Sequence, residues 1–441
     1  MTARQRASNW LGGRWWAFVL TAGLLVLLGC DGGSSSNDGS SPNGGSAPSS
    51  GSAPSGGSAS ALITGPNAQP ITVNTAFPEA LINTLLTSVT LCVPGTTTCQ
   101  TIPNILVDTG SSGVRILASQ LSLTLPPVTS ESAPLGECFE FVDAAVWGAV
   151  VTADVGLAEA KALSVPIQLI GSPSFAAPPV ACTRSGLPLQ DTPQGLHANG
   201  ILGVGLFVED CAACDPQHNP RAAVAPPAIY FSCPSVSGTF LCMPTAVPLP
   251  DQVQNPVWLL PQDNNGVLIA LPPIAPGGAT SVVGSLVFGI GTAANNGLGS
   301  AQVYTTDALG HFTTTFAGIA YPTSYLDTGS NLLSILDAAR LGLPRCGANT
   351  DAAGAYCPAM PVSFTATTTG ANGATGTVTF SIANATTLLS SPNVAFNDLA
   401  TPFTSGPEAF AWGLPFFFGR TVFVAIGGQS TPAGPGPYWA Y

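Results

Sequence analysis

Two stretches of this sequence share one pattern, and that pattern decides the fold. Residues 105–117 have the sequence ILVDTGSSGVRIL, and residues 324–336 have the sequence SYLDTGSNLLSIL. In each stretch an apolar run ends in Asp-Thr-Gly-Ser and a second apolar run follows closely, which is typical of buried β-strands joined by a turn. The carboxylates at these turns, Asp108 and Asp327, predict two halves that each supply one acid to a shared site.

The composition favours an all-β protein. The chain has 441 residues, of which 50 are glycine, 41 are proline and only 7% are charged. Strand-forming and turn-forming residues dominate, and long amphipathic helices are hard to find. The formal net charge is −12. Nucleic acid is therefore not an expected partner, because the chain has no basic patch that could neutralise phosphates.

The N-terminus predicts export and a lipid anchor. Three arginines precede an apolar run over residues 17–28, which is too short to span a bilayer core of about 30 Å. The run ends in Leu-Leu-Gly-Cys, which resembles a bacterial lipobox, with cleavage before Cys30 and acylation (palmitate) of that cysteine. An ordinary signal peptide is the alternative. We therefore expect a chain held at the membrane of the bacterial cell envelope, facing the periplasm or the outside.

The rest of the chain divides into a tether and two halves. We predict a lipoprotein signal peptide over 1–29, then the lipidated Cys30 and a flexible Gly/Ser/Pro tether to residue 60. An N-terminal β lobe over 61–250 carries the first Asp-Thr-Gly, and a C-terminal β lobe over 251–441 carries the second. The Cys- and Pro-rich stretch 211–250 marks the boundary.

Ten of the eleven cysteines remain after Cys30, an even number that favours disulfides in an exported protein. Short spacings predict the pairs Cys92–Cys99, Cys233–Cys242 and Cys346–Cys357. The sequence leaves open how Cys138, Cys182, Cys211 and Cys214 pair. With His218 nearby, the CAAC segment 211–214 has a zinc or redox alternative. The chain has only three histidines, so we expect no metal and no cofactor.

The repeat extends beyond the aspartates. Asp108 precedes Gly200 by 92 residues, and Asp327 precedes Gly413 by 86. At both glycines an apolar, glycine-containing strand pattern appears. Two divergent copies of one β unit explain this spacing.

These residues resemble the pepsin-like aspartic peptidases, in which each of two β lobes carries Asp-Thr-Gly-Ser/Thr backed by a distant apolar strand with glycine. Residues 199–205 and 412–426 are similar to those backing strands. Arg420 matches the family pattern in the second, while Leu414 and Pro415 depart from it. The resemblance spans about residues 65–430. It implies an all-β, two-lobed pepsin-like fold with pseudo-two-fold symmetry, a central cleft and a monomeric chain.

The resemblance implies a peptidase site at Asp108 and Asp327. Two carboxylates about 3 Å apart share a proton. The ionised carboxylate deprotonates a bound water, and the protonated carboxyl donates to the scissile carbonyl oxygen. The supporting residues would brace the loops, allow close approach or orient the carboxylates: Thr109, Gly110, Ser111, Thr328, Gly329 and Ser330. The alternative reading is a pair of ordinary Asp-Gly turns at strand ends.

The substrate-covering flap departs from the family. The corresponding hairpin, residues 139–151, lacks the usual tyrosine, and Phe141 and Trp147 are its candidate aromatics, although an aromatic on a strand is more often core. The predicted function is a membrane-tethered aspartic endopeptidase acting on polypeptides. The alternatives are an inert pepsin-like binding or inhibitory module and a structural surface lipoprotein.

Overall fold

The computed structural model describes residues 62–175, 177–403 and 409–441. Nearly all regular structure in these ranges is β-strand, and the helices are single short turns. The all-β prediction is therefore confirmed. The predicted signal peptide (1–29), Cys30 and the tether to residue 60 lie outside the described residues.

Thirteen of the described strands precede residue 250. They are β1 (Ala68–Val73), β2 (Leu86–Cys92), β3 (Cys99–Asp108), β4 (Ser112–Leu117), β5 (Thr129–Ser130), β6 (Ala133–Glu140), β7 (Ala145–Leu157), β8 (Ala160–Ile170), β9 (Gly200–Val204), β10 (Tyr230–Ser232), β11 (Ser235–Val236), β12 (Thr239–Phe240) and β13 (Met243–Pro244).

The remaining described strands lie in the second half. They are β14 (Gly266–Ala270), β15 (Val282–Phe288), β16 (Val303–Thr305), β17 (Phe312–Phe316), β18 (Ile319–Leu326), β19 (Leu333–Ile335), β20 (Val362–Thr369), β21 (Thr375–Ile382), β22 (Ala400–Pro402), β23 (Ala411–Trp412), β24 (Thr421–Ala425), β25 (Ser430–Thr431), β26 (Gly434–Pro435) and β27 (Tyr438–Ala440).

Helical structure is confined to short segments between strands. The α-helices are α1 (Pro193–Leu196), α2 (Ala338–Leu341) and α3 (Ala385–Leu389). The 3₁₀ turns are Ala118–Gln120, Pro173–Phe175, Ala212–Cys214, Pro220–Ala223, Leu249–Asp251, Pro256–Leu259 and Leu414–Phe416. Among the residues that the structure describes, none of these helices has the length and apolarity needed to span a membrane.

One large sheet runs through both halves of the sequence. Its strand order is β13-β10-β6-β7-β8-β4-β9-β3-β2-β1-β15-β14-β24-β27-β16, with β5 beside β6. The halves join where β1 lies antiparallel to β15, with Ala68 opposite Val287. A second sheet, β21-β20-β17-β18-β23-β19-β22, comes from the second half alone. The division at residue 250 stays a prediction.

The two motif segments have the same strand neighbours. In the first half, β3 runs parallel to β9 and β4 runs antiparallel to β9. In the second half, β18 runs parallel to β23 and β19 runs antiparallel to β23. Each aspartate turn therefore sits where two strands flank a third, the downstream partner that the spacing of the sequence predicts. Gly200 and Gly203 lie in β9, and Gly413 directly follows β23.

The core is apolar and aromatic, and disulfides close loops around it. On β21, Val378, Phe380 and Ile382 are buried as their alternation predicts. The three predicted pairs Cys92–Cys99, Cys233–Cys242 and Cys346–Cys357 are confirmed. The structure also resolves the open pairings, as Cys138–Cys182 and Cys211–Cys214.

Candidate active site

The two aspartates meet although they are far apart in sequence. Asp108 is the last residue of β3, and Asp327 directly follows β18. A Cβ atom on Gly110 would lie 2.9 Å from Asp327 Cγ, and one on Gly329 would lie 2.8 Å from Asp108 Oδ1. Each turn therefore rests against the carboxyl group of the other, and only glycine leaves room for this approach.

Each carboxylate is held by its own turn in the same way. The Ser111 hydroxyl donates to Asp108 Oδ2 over 2.6 Å, and the Ser330 hydroxyl donates to Asp327 Oδ2 over 2.6 Å. The Gly110 N–H donates to Asp108 Oδ1 at 2.7 Å, and the Gly329 N–H donates to Asp327 Oδ1 at 2.8 Å. The serines therefore fix the outer oxygens, and the inner oxygens face one another.

Two buried threonines brace the turns against each other. The Thr109 N–H donates to Thr328 Oγ1 at 3.1 Å, and the Thr328 N–H donates to Thr109 Oγ1 at 3.0 Å. Each hydroxyl then donates onward, Thr109 to the Leu326 carbonyl at 3.2 Å and Thr328 to the Val107 carbonyl at 2.7 Å. Each threonine thus bonds the strand that carries the opposite aspartate, so the two carboxylates cannot shift independently.

The backing strands complete the support. Asp108 lies opposite Gly203 in the parallel pairing of β3 with β9, and the Asp327 N–H donates to the Trp412 carbonyl at 3.0 Å. A Cβ atom on Gly413 would lie 2.1 Å from the Leu332 carbonyl oxygen. Glycine is therefore required at this backing strand, because any side chain would collide with the segment that follows Asp327.

The electrostatics of the pair favour a shared proton. Burial raises the pKa of Asp108 to about 7, and the charge of Asp327 adds to the rise. A hydrogen bond between the two carboxyl groups acts in the same direction, while the bonds from Ser111 and Gly110 oppose it. Two carboxyl groups can hydrogen-bond only when one is protonated, so this contact favours a proton held between the two.

A family model matches residues 64–441, nearly all of the chain that the structure describes. Its description is "Protein of unknown function (DUF3443)". The chain belongs to the DUF3443 family. Among curated proteins no match was found.

The solved structures matched by this DUF3443 chain include an aspartic proteinase from Irpex lacteus. The identity is 14% and the TM-score is 0.48, with 85% of this chain and 96% of that chain covered. The likeness between the DUF3443 chain and that proteinase is distant.

The two candidate flap aromatics of the DUF3443 chain occupy different surroundings. Trp147 is buried in the core, where its indole N–H donates to the Phe175 carbonyl at 2.8 Å. Its ring meets Phe175 and Phe231 edge to face, so it packs as a core residue does. Phe141 is half-buried in the turn between β6 and β7 and packs on Phe139. Its role as a flap residue stays a prediction.

Sequence reasoning passed over two residues close to the aspartates. Tyr325 lies two positions before Asp327, and burial, with the Asp327 charge adding to it, raises the pKa of its phenol. Arg115 lies on β4 and is fully buried with two acidic side chains. An arginine inside the apolar run of residues 114–117 was the available signal, because a buried cation requires a partner.

The bonding of its two cysteines bears on the alternative prediction of a zinc site at the CAAC segment. Cys211 and Cys214 are joined to each other, at an S–S distance of 2.04 Å. The Nδ1–H of His218 donates to Oδ2 of the buried Asp215 at 2.9 Å. Among the described residues, no cluster of three or more histidine, cysteine or acidic side chains is placed to hold a metal ion.

Proposed function

We propose that this chain is an aspartic endopeptidase that hydrolyses peptide bonds in polypeptide substrates. One observation carries the proposal. Asp108 and Asp327, on turns whose threonines are 219 residues apart in sequence and cross-braced, approach closely enough to share a proton. An ordinary strand-end turn requires none of this, because a single Asp-Gly turn is stable without a second copy.

The proposed reaction uses the pair as acid and base together. The ionised carboxylate accepts a proton from a bound water molecule, and the oxygen of that water attacks the scissile carbonyl carbon. The protonated carboxyl donates its proton to the carbonyl oxygen, which gives a neutral tetrahedral intermediate. The carboxyl group that took the proton from water then donates it to the amide nitrogen, while the other carboxylate removes a proton from a hydroxyl of the intermediate. The C–N bond breaks, the amine and a carboxylic acid leave, and the pair again holds one proton. Ser111 and Ser330 support the reaction by keeping the inner oxygens aimed at the water.

The test is cleavage of an unfolded protein between pH 3 and 7 by the wild-type chain, Asp108→Asn and Asp327→Asn. We expect each single variant to lose cleavage by at least about a thousandfold, as for residues that act as one unit, while its circular dichroism stays unchanged. A wild-type chain that binds a statine-containing peptide without cleaving any substrate would identify an inert binding module. Unfolding of both variants would favour the architectural reading of the turns.

We also propose that the folded part acts from a lipid anchor at Cys30, on the periplasmic or outer side of a bacterial envelope. The proposal rests on the basic start, the short apolar run and the Leu-Leu-Gly-Cys sequence before residue 31. Mass spectrometry of the mature N-terminus should find an acylated Cys30, and Cys30→Ser should move the protein from the membrane fraction to the soluble fraction. An unmodified N-terminus elsewhere would contradict the anchor.

Because one chain supplies both acids, we propose that it works as a monomer. Activity per chain should then be independent of protein concentration. A specific activity that falls on dilution, together with a dimer in sedimentation, would contradict this.

A further inference from the structure

A buried ion cluster lies directly beside the turn that carries Asp108. Arg115 on β4 is fully buried, and its Nη2 donates to Glu137 Oε1 at 2.6 Å and to Asp210 Oδ2 at 2.7 Å. Both acidic side chains are also inaccessible to solvent. The guanidinium lies 3.8 Å from the ring centre of Phe139. Burying three ionisable groups in one place carries a large desolvation cost, which close charge pairing and hydrogen bonds must offset.

The cluster joins three separate parts of the chain. Glu137 and Phe139 belong to β6, the first strand of the hairpin that corresponds to a flap. Asp210 directly precedes the Cys- and Pro-rich stretch 211–250, and the Tyr230 hydroxyl in that stretch donates to Asp210 Oδ1 at 2.7 Å. The same hydroxyl accepts from the Val253 N–H at 2.8 Å. One guanidinium therefore links three parts of the chain, namely the β6–β7 hairpin, the start of the Cys- and Pro-rich stretch, and β4.

The third bond of the guanidinium reaches the catalytic turn. Arg115 Nη1 donates to the Ser112 carbonyl at 2.8 Å. Ser112 follows Ser111, whose hydroxyl holds Asp108, and the Ser112 hydroxyl donates to the Phe207 carbonyl at 2.7 Å. Movement of Arg115 would therefore be transmitted through one residue to the serine that orients the carboxylate.

The cluster brings ionisable side chains from several elements together. The groups that face one another are Arg115, Glu137, Asp210 and Tyr230, and Gln168 adds a neutral amide that donates to the Glu137 carbonyl at 2.7 Å. Burial, with the charge of Glu137 adding to it, raises the pKa of Asp210 well above its usual value. A hydrogen bond between Asp210 and Glu137 acts in the same direction, and the charge of Arg115 opposes it.

We propose that Arg115 is a positioning residue for the dyad, which holds the Asp108 turn, the β6–β7 hairpin and the Cys-rich stretch in one arrangement. This role rests on the proposed peptidase function. Arg115 donates to neither Asp108 nor Asp327 in the hydrogen bonds above, so its effect on the dyad passes through Ser112.

The test compares full-length chains purified in detergent. Arg115→Met removes all three hydrogen bonds of the guanidinium, and Arg115→Lys keeps the positive charge but lacks the planar guanidinium group. A triple variant, Arg115→Met with Glu137→Gln and Asp210→Asn, removes the bonds and leaves no buried charge. Arg221→Met is the matched control, because Arg221 is exposed on the same Cys-rich stretch. Each is assayed for kcat and KM across pH 3 to 7 and for amide hydrogen exchange.

We expect Arg115→Met to lower kcat at pH 4 by about 10- to 100-fold, the effect of a small displacement of a catalytic group, with KM within about threefold. Because the charge of Arg115 lowers the pKa of Asp210, its removal should raise that pKa further, and the folded, active state should lose stability more steeply than the wild type as the pH rises. Arg115→Lys should recover part of kcat. The triple variant should remove the added pH dependence, and its kcat should stay as low as that of Arg115→Met. In these variants the amides of residues 108–114 should exchange faster than in the wild type, while those of residues 326–330 should not.

Wild-type kcat in the triple variant would overturn the proposal, because the cluster would then serve stability alone. Wild-type kcat in a folded Arg115→Met would overturn it as well. If the wild-type chain cleaves nothing, the peptidase function fails, and the exchange of residues 108–114 still decides whether Arg115 positions the turn. Unchanged exchange there would reject the positioning role.

Discussion

At the scale of single residues, Asp108 determines how the proposed site responds to pH. The side chain is buried beside a second acid, and burial is the main reason that its pKa rises to about 7. A general acid works best when its pKa lies near the working pH. The same environment that brings the carboxylates together therefore also keeps a proton available in mildly acidic surroundings.

Activity should be highest in acid and should be lost as the pH rises through about 7, because the shared proton then leaves the pair. A profile of kcat/KM against pH checks this. Activity that increases between pH 6 and 8 would contradict it.

Stability should follow the same direction. A folded-state pKa above the unfolded value of 3.8 gives stability that is complete below that value and is lost as the pH rises through about 7. Asp108→Asn removes this dependence, so its unfolding free energy should fall with pH less steeply than that of the wild type. The difference in slope should be up to about 1.4 kcal/mol per pH unit between pH 4 and 7.

Denaturant unfolding at pH 4, 5.5 and 7 measures the slope. The exposed Asp351 offers a matched control as Asp351→Asn, which should keep the wild-type slope. Parallel curves for wild type and Asp108→Asn would show that Asp108 is not protonated near neutrality.

The sequence predicted these acids and missed the arginine beside them for one physical reason. Asp-Thr-Gly-Ser carries its whole turn in consecutive residues, so local chemistry is enough to identify it. The partners of Arg115 come from positions 137 and 210, and only the tertiary fold brings them together. Likewise Trp147 has the residue type that a flap would use, and the packing of Phe175 and Phe231 around it is what makes it core.

At the scale of elements, the threonine cross-brace turns two separate strand ends into one unit. Four hydrogen bonds link the turn after β3 to the turn after β18, and all of them are buried. A buried N–H that loses its acceptor keeps the full desolvation penalty. The brace is therefore more sensitive to removal of one hydroxyl than a solvent-exposed turn would be.

Thr109→Val should destabilise the protein by roughly 1–3 kcal/mol for each buried group left unpaired, because the Thr328 N–H loses its acceptor and the Leu326 carbonyl loses its donor. Thr109→Ser keeps the hydroxyl and should lose less. Chemical unfolding of both variants provides the measurement. Equal stability of the valine and serine variants would mean that the hydroxyl does not support the fold.

Elements with a clear local period could be predicted, and those made by long-range pairing could not. Residues 376–382 alternate along their length, and the strand there has the predicted buried face. The pairing Cys138–Cys182 spans 44 residues, and the fold, rather than the spacing, brings those two positions together. The same holds for β10, which pairs with β6 at a distance of about a hundred residues.

At the scale of the whole molecule, the segment before β2 is hydrogen-bonded to two segments of the second half. Asn83 is fully buried, and its Oδ1 accepts from the Phe396 N–H at 2.7 Å. Its Nδ2 donates to the Asn331 carbonyl at 2.8 Å and to the Phe396 carbonyl at 3.0 Å. Asn331 directly follows Ser330, so this amide ties the segment before β2 to the second aspartate turn.

Asn83→Gly should lower the unfolding free energy by at least about 2 kcal/mol, since two or more buried backbone groups lose their partners. Glycine is the informative substitution because residue 83 has a φ of 52°, which glycine adopts without strain. The exposed Asn349 provides the control as Asn349→Gly. Chemical denaturation that finds both variants equal to wild type would remove the structural role of this amide.

The cross-brace also bears on when the proposed peptidase activity can begin. Synthesis delivers Asp108 more than two hundred residues before Asp327, and the hydrogen bonds between the two turns form only when both are present. An unfinished chain would therefore lack the proposed activity, with no need for a separate inhibitory segment. A chain that stops before residue 319 should cleave nothing at any pH.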